Sequence, residues 1–134
     1  MASHASIYRQ RLITGIIVFA HGSRVESANE AVRAVARELL RAAGCERAVA
    51  AFLELGVPDL ETATDELVEA GVERVVIIPY FLTLGLHMER DLPRLTAQIA
   101  RKHPALKLDV TPPMDGHPAL AAILADRFRD SGQC

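Results

Sequence analysis

Two histidines, His21 and His87, each follow a strongly apolar run of the chain. The first run covers residues 15–20, and the second covers residues 75–86. If both runs contain buried parallel strands, the two imidazoles reach the carboxyl edge of one sheet, where α/β proteins bind ligands. Neutral imidazole binds divalent transition metals, and its pKa of about 6.5 lets it accept protons near neutral pH. The pattern therefore predicts a metal-binding or acid–base pair; the alternative, for each histidine alone, is a packing role.

The turn after His21 reads Gly-Ser-Arg and leads into a predicted helix. Gly22 lets the backbone turn sharply, and Ser23, Arg24 and the helix N-terminus suit an anionic group. A small hydrolase that uses Ser23 and His21 is an alternative, but the motif Gly-x-Ser-x-Gly is absent. The nucleotide-binding motifs Gly-x-x-x-x-Gly-Lys-Ser/Thr and Gly-x-Gly-x-x-Gly are absent too, so we expect no nucleotide.

Other side chains are predicted to lie at the same edge. Glu54 follows the second strand-like run, where its carboxylate is a candidate third ligand or proton acceptor; the alternative is a solvated loop residue. Residues 79–87 are too apolar for an ordinary solvent loop. They either pack against the core or a dimer partner, or they form a shelf for a flat apolar ligand with His87 as its polar anchor. His117, after the fourth run, is a weaker candidate.

The elements that must position these residues alternate along the chain as βαβαβαβα. Four short apolar runs are predicted to be strands: residues 15–20, 48–53, 74–79 and 106–111. Four amphipathic segments are predicted to be helices: from a Ser27–Glu30 capping box to Gly44, from Pro58 and Asp59 to Gly71, from Asp91 to His103, and from Pro118 onward. The fold class that follows is α/β, a single doubly wound domain with a four-stranded parallel sheet and flavodoxin-like layering.

Length and composition narrow the class further. A chain of 134 residues suits one domain, with a flexible leader over residues 1–14, the folded domain over 15–131 and a tail over 132–134. The net charge of −2 argues against a nucleic-acid partner. No apolar run approaches the roughly 20 residues of a membrane span, and no signal peptide is evident, so we expect a cytoplasmic protein. A small sheet with two open edges favours a homodimer.

Three motifs together resemble one known family. They are His-Gly-Ser-Arg at residues 21–24, Phe-Leu-Glu at 52–54, and Pro-Tyr-Phe-Leu-Thr-Leu-Gly-Leu-His-Met-Glu-Arg-Asp-Leu-Pro at 79–93. The combination resembles the small CbiX-type chelatases, class II chelatases related to sirohydrochlorin cobaltochelatases and ferrochelatases. The resemblance spans about residues 15–128, nearly all of the predicted domain.

This resemblance implies a chelatase-like fold and insertion of a divalent metal into sirohydrochlorin without ATP, in cobalamin or siroheme biosynthesis. It implies that His21 and His87 bind the metal (Co²⁺ or Fe²⁺, with Ni²⁺ as a further option), that His21 accepts pyrrole protons and that Glu54 assists. Small members of the family pair as homodimers. Ser23 and Arg24, with Arg90, are candidates to meet the carboxylates of the macrocycle. The residues implied to line the macrocycle site are Val57, Leu82, Thr83, Leu84, Gly85 and Leu86.

The chemistry of metal insertion fits these residue types independently. The macrocycle must lose two pyrrole protons while the ion passes from protein ligands to ring nitrogens. Two imidazoles with water hold an ion loosely enough to release it, whereas a closed four-ligand site retains it. The alternative from another class is a non-catalytic carrier of metal or tetrapyrrole that uses the same cleft. Imidazole serves Co, Fe and Ni alike, so the sequence does not choose the metal.

Overall fold

The computed structural model of the chain describes residues 11–132. Four strands alternate with four helices: β1 (Thr14–Ala20), α1 (Glu26–Ala43), β2 (Arg47–Phe52), α2 (Leu60–Glu69), β3 (Arg74–Pro79), α3 (Leu86–Lys102), β4 (Lys107–Val110) and α4 (Ala119–Asp130). The strands form one sheet in the order β2-β1-β3-β4, and all neighbouring strands are parallel. The predicted α/β fold is therefore confirmed. Within the described part, no helix is both long enough and apolar enough to cross a membrane.

Both faces of the sheet are covered, which explains why its central strand is apolar throughout. Successive side chains of a strand point to opposite faces. In β1, Val18 and Ala20 pack with residues of α1 on one face. Ile17 and Phe19 pack with residues of α2 and α3 on the other face. This two-sided burial is the doubly wound arrangement that the near-continuous apolar runs predict.

Strand β1 begins slightly before the predicted start of the folded domain. Thr14, which was assigned to the leader, is the first residue of β1. Ile13 is also held: its N–H donates to the Glu73 carboxylate at 2.9 Å, and its carbonyl accepts from the Glu73 N–H at 2.7 Å. Residues 1–10 of the predicted leader and 133–134 of the predicted tail lie outside the described residues, so this division of the chain stays a prediction.

The predicted Ser27–Glu30 capping box at the start of α1 is wrong. The N-cap is Val25, two residues before Ser27, and its side chain forms no capping hydrogen bond. Instead, the Ser23 hydroxyl accepts from the Val25 N–H at 3.0 Å, and the Asn29 side-chain oxygen accepts from the Ser23 N–H at 2.9 Å. A residue within the helix, Asn29, therefore holds the turn at residues 21–25 that precedes it. Ser27 lies in the first turn of α1. The predicted stop at Gly44 is confirmed by its left-handed φ of 68°.

Helix α3 also starts earlier than predicted, at Leu86 rather than near Asp91. Met88 and Leu92 are both buried, so the apolar stripe at helical spacing extends towards the N-terminus and brings this segment into the helix. Pro93 consequently lies inside the helix and not in its first turn. The consequence for function is that His87 belongs to the first turn of α3 rather than to a loop.

Helix α4 starts after Pro118 as predicted, but it buries none of its residues. Its apolar stripe is exposed, and we call its three large residues, Ile123, Leu124 and Phe128, the α4 face. Leu124 keeps 68% of its accessible surface. Val110, on the edge strand β4, is exposed as well. A contiguous exposed apolar surface usually marks a binding site for another molecule or subunit.

Candidate functional site

The four strands deliver four connections to the carboxyl edge of the sheet. The β1 connection is the His21 turn (residues 21–25), the β2 connection is the Glu54 loop (53–59), the β3 connection is the Leu82 loop (80–85), and the β4 connection covers 111–118. β1 and β3 are central neighbours in parallel register, with Phe19 opposite Pro79. The Tyr80 N–H donates to the Phe19 carbonyl at 2.7 Å. The His21 turn and the Leu82 loop therefore leave adjacent strands at the same level.

The His21 turn and the Glu54 loop touch each other. The Leu53 N–H donates to the Ala20 carbonyl at 2.9 Å, and the Glu54 N–H donates to the His21 carbonyl at 3.1 Å, so the β1–β2 ladder continues past the strands. Gly22 has φ +97°, and a Cβ at this position would lie 1.6 Å from the Glu54 carbonyl oxygen. The side chains of His21 and Glu54 are both exposed. The structure thus brings the backbones of His21 and Glu54 into contact at the sheet edge, with both side chains open to solvent.

His87 is the second residue of α3 and is exposed. Gly85 precedes the helix with an extended backbone, at φ −76° and ψ 171°. The Gly85 carbonyl accepts the Glu89 N–H at 2.9 Å, which closes the first turn around His87. His87 therefore lies in the first turn of α3, and the next residue, Met88, is buried and packs in the core.

The apolar segment after β3 divides into two parts. Phe81 packs edge-on against Phe19 with ring centroids 6.3 Å apart, and Leu84 packs against the core. Leu82 and Leu86 point outwards, the latter 73% exposed. The core interpretation applies to Phe81 and Leu84, whereas Leu82 and Leu86 form an open apolar surface whose use as a ligand shelf stays a prediction. Thr83 and Gly85 are exposed between them.

Exposed apolar side chains are concentrated along this edge. Val57 of the Glu54 loop is 74% exposed, and Leu55 beside it is exposed too. Val25 at the end of the His21 turn and Tyr80 at the exit of β3 extend the surface. Leu55 and Val25 were not predicted as site residues; their signal in the sequence is an apolar residue inside a turn that precedes a helix. A rim of this kind suits a large, flat, mainly apolar ligand.

The polar candidates differ in how free they are to bind a ligand. The Ser23 hydroxyl accepts a hydrogen bond from the Val25 N–H and so stabilises the turn, which disfavours the hydrolase alternative. Arg24 and Arg90 are exposed. The His117 ring accepts the Ala119 N–H at 3.0 Å and caps α4. Within residues 11–132, no cluster of three or more His, Cys, Asp or Glu side chains is arranged to hold a metal ion, so Glu54 does not complete a three-ligand group with the two histidines.

Asn29 is a site residue that the sequence pattern did not reveal. It is 2% exposed, lies on the buried stripe of α1 and contacts both the His21 turn and the Glu54 loop. The neighbouring Glu26 carboxylate accepts from Arg33 and from Asn29, and these hydrogen bonds lower the pKa of Glu26. The signal that could have exposed Asn29 is a polar residue in helical register with the buried Val32 and Ala36.

The relationship of the chain to known proteins agrees with this geometry. The profile of the family described as CbiX matches residues 15–131. The chain belongs to the CbiX family. The resemblance drawn from the three sequence motifs is therefore confirmed.

Three relatives show how this chain compares with known proteins in sequence, structure and length. The chloroplastic sirohydrochlorin ferrochelatase of Arabidopsis thaliana is 31% identical over 115 residues, covering 86% of this chain and 51% of that protein. The sirohydrochlorin chelatase of Bacillus subtilis subspecies spizizenii, solved with cobalt, has a TM-score of 0.74 at 26% identity, covering 87% of this chain and 50% of that one. A protein of Marinobacter aquaeolei, named as a CbiX protein of cobalamin biosynthesis, has a TM-score of 0.77 at 26% identity, covering 88% and 96%. The chain thus spans about half the length of the first two and nearly all of the third.

Proposed function

We propose that this CbiX family member inserts a divalent metal ion, Co²⁺ or Fe²⁺, into sirohydrochlorin without a nucleotide. The observation that carries the proposal is the delivery of His21 and His87 from adjacent parallel strands, β1 and β3, to one edge rimmed by exposed apolar side chains. The names of the Arabidopsis and Bacillus relatives support the substrate and these two metals. Ni²⁺ is a third ion that imidazole accepts.

The residues have distinct parts in this mechanism. His21 and His87 bind the incoming ion, with water filling its other positions, so the ion is held loosely enough to be passed on. The macrocycle lies on the apolar surface of Val57, Leu82 and Leu86 with its ring nitrogens towards the ion. As two ring N–H groups lose their protons, the ion bonds to the nitrogens and two protons leave. His21, freed as the ion moves to the ring nitrogens, accepts these protons one at a time and passes each to solvent water, and Glu54 assists.

Peripheral carboxylates of sirohydrochlorin give the substrate its negative charge. Arg24, with Ser23 beside it, and Arg90 are exposed near the carboxyl edge and are suited to meet them. The protein as a whole has a net charge of −2, so attraction of the substrate depends on these local cations. We place the reaction in cytoplasmic cobalamin or siroheme biosynthesis, with no nucleic-acid or membrane partner.

The test of the function is a steady-state assay of sirohydrochlorin with Co²⁺, Fe²⁺ or Ni²⁺, followed by absorbance. We expect many turnovers per protein chain with at least one metal, well above the protein-free reaction. A carrier of metal or tetrapyrrole predicts a different result, namely stoichiometric binding with no acceleration. A rate equal to the protein-free rate with every metal rules out the enzyme. The ratio of rates among the metals assigns the physiological ion.

We further propose that two copies of the chain pair through the α4 face. This helix buries none of its residues, and its apolar side chains are open to solvent. This chain aligns with only about half of each of the two longer relatives, so each of them has a further stretch of similar length outside the alignment. A second copy of this chain, packed on the α4 face, would take the place of that further stretch. Burying Leu124 and Phe128 would contribute roughly 1.5–3 kcal/mol for each fully covered side chain.

Replacing Leu124 or Phe128 by glutamate is expected to convert a dimer into a monomer, because a buried carboxylate without a partner is strongly unfavourable. Sedimentation velocity measures the change, and circular dichroism checks that the helices are retained. Arg129→Glu is the matched control, since Arg129 is 70% exposed and projects from the opposite side of α4. An unchanged sedimentation coefficient for both apolar variants, or a monomeric wild type, contradicts pairing through this face.

A further inference from the structure

Asn29 is one of two buried polar side chains among the described residues, and the other is Thr64. Its side-chain nitrogen donates to the Ser23 carbonyl at 2.9 Å and to the Leu55 carbonyl at 3.0 Å. Its side-chain oxygen accepts from the Ser23 N–H at 2.9 Å. One amide group thus joins α1 to the His21 turn and to the Glu54 loop, whose Leu55 lies 26 residues after Asn29 in the sequence.

The Glu54 loop needs such an anchor because its backbone is strained. Leu55 has φ +58°, a left-handed conformation that costs a residue with a side chain about 1–2 kcal/mol. The Leu55 carbonyl is the group that accepts from Asn29, so the hydrogen bond holds the strained residue in place. Gly56 follows closely against the same amide: a Cβ there would lie 3.1 Å from the Asn29 side-chain nitrogen. The loop therefore adopts one position, set by Asn29.

Side-chain hydrogen bonds also hold the N-terminal part of α1, which carries Asn29. Glu26 accepts from Arg33 at 2.7 Å and from Asn29 at 3.2 Å. One turn further along the helix, Arg33 donates to the Val57 carbonyl at 3.1 Å, and its guanidinium lies 5.3 Å from the centre of the Phe52 ring. Helix α1 therefore donates hydrogen bonds to the Leu55 and Val57 carbonyls, at the two ends of the apolar part of the Glu54 loop. Asn29 is the only one of these contacts that also reaches the His21 turn.

We propose that Asn29 is a positioning residue that sets His21 relative to Glu54. This inference rests on the proposed function, in which the imidazole accepts pyrrole protons and the carboxylate assists. Neither side chain is held by a side-chain hydrogen bond of its own among the described contacts, so their separation depends on the two backbones. Asn29 connects those backbones, whereas none of its described hydrogen bonds reaches His87 or the Leu82 loop. Asn29 therefore acts on the proton-accepting side of the site and not on the apolar surface after β3.

The chemistry of the amide explains why asparagine occupies this position. An amide both donates two hydrogens and accepts through its oxygen, and the contacts require both abilities. Aspartate has the same shape but cannot donate when ionised, and it would place a carboxylate against the Ser23 and Leu55 carbonyls. Buried polar atoms without partners are costly, so the two loops would separate. Alanine removes every hydrogen bond of the amide and leaves the backbone hydrogen bond from Glu54 to His21 as the remaining contact between the two loops.

The experiment compares Asn29→Asp and Asn29→Ala with Thr64→Ala, which removes the other buried polar side chain, a hydroxyl that donates only to Leu60 within α2. We expect both Asn29 variants to lower kcat of metal insertion roughly tenfold to a hundredfold, because displacements of about 1 Å have effects of that size. The KM for sirohydrochlorin should change much less, since the Leu82 and Leu86 surface is untouched. Thr64→Ala should keep kcat within about twofold even if it loses comparable stability.

A second measurement does not depend on activity. In NMR spectra, the ring resonances of His21 should shift or broaden in both Asn29 variants, while those of His87 stay at their wild-type positions. In addition, Asn29→Ala should add little to the loss caused by His21→Ala, because residues that act as one unit are not additive.

The inference is overturned if folded Asn29 variants keep the His21 resonances in place, or if kcat falls equally in Thr64→Ala. If neither Asn29→Asp nor Asn29→Ala folds, Asn29→Ser takes their place: a shift of the His21 resonances alone in folded Asn29→Ser supports the inference, and a loss of folding in Thr64→Ala as well assigns Asn29 a purely structural part. A wild type without insertion activity refutes the proposed function instead, and the NMR comparison then still decides the role of Asn29.

Discussion

His21→Ala and His87→Ala are each expected to lower metal insertion by roughly 10²–10⁴-fold, the range that follows removal of an essential proton-transfer group. His21 leaves the end of β1, and His87 is mounted on the first turn of α3, so each imidazole arrives on its own element. Neither can replace the other, because losing one leaves a single protein ligand for the ion. Both side chains are exposed, so the fold does not depend on them.

The measurement combines turnover with metal binding and unfolding by urea. We expect Co²⁺ titration to show weaker binding in both variants and the urea midpoint to match that of the wild type. His103→Gln is the control: it removes an imidazole from the far end of α3, where the ring contacts Asp65 at 2.7 Å. Insertion at the wild-type rate by either site variant would refute the role of that histidine. Loss of activity in His103→Gln of similar size would mean that histidine content, not position, sets the rate.

Gly22→Ala is expected to have the largest effect on the structure. The Cβ of alanine would lie 1.6 Å from the Glu54 carbonyl oxygen, which is backbone and cannot rotate away. The φ of +97° adds a conformational cost of about 1–3 kcal/mol. Together the clash and the strain should lower the free energy of unfolding by more than about 3 kcal/mol, unless the His21 turn moves away from the Glu54 loop. In either case insertion activity should fall by at least about a hundredfold.

Gly71→Ala provides a closely matched control for this effect. Gly71 has the same φ of +97°, but a Cβ there would meet nothing within 4 Å. Its expected loss is the conformational cost alone, and its activity should stay at the wild-type level. Urea unfolding of the two variants therefore separates strain from close approach. Equal midpoints for both, with normal insertion by Gly22→Ala, would contradict the tight contact between the His21 turn and the Glu54 loop.

The local sequence pattern predicted the structure correctly where a single strand or helix end determines it. Short apolar runs predicted all four strands: β1 is apolar throughout because both of its faces are covered, whereas the edge strand β4, with Lys107 and Asp109, alternates. Gly44 predicted the end of α1, because its left-handed backbone is a property of the residue itself. Local pattern misled at the start of α1: the Ser27–Glu30 spacing is that of a capping box, but Asn29 holds the turn and moves the helix start.

The start of α3 shows a second limit of local reasoning. Pro93 suggests a first turn, since proline is tolerated there, and this placed the start near Asp91. Burial of Met88 outweighs that preference, because the side chain completes the contact of α3 with the sheet. His87 is consequently a helix residue. Its position at the sheet edge was predictable from the run before it, but the element that carries it was not.

By itself, the sequence determined the α/β fold, the parallel sheet and the delivery of His21 and His87 to its carboxyl edge, because each follows from hydrophobic period and the position of a residue after a strand. Only the tertiary structure decided that the backbone of the Glu54 loop contacts the His21 turn, that Gly22 must lack a side chain, that Asn29 joins the two loops and that the α4 face is left uncovered. These features depend on which distant segments come within van der Waals reach. Such contacts are set by the packing of helices on the sheet, which no local spacing encodes.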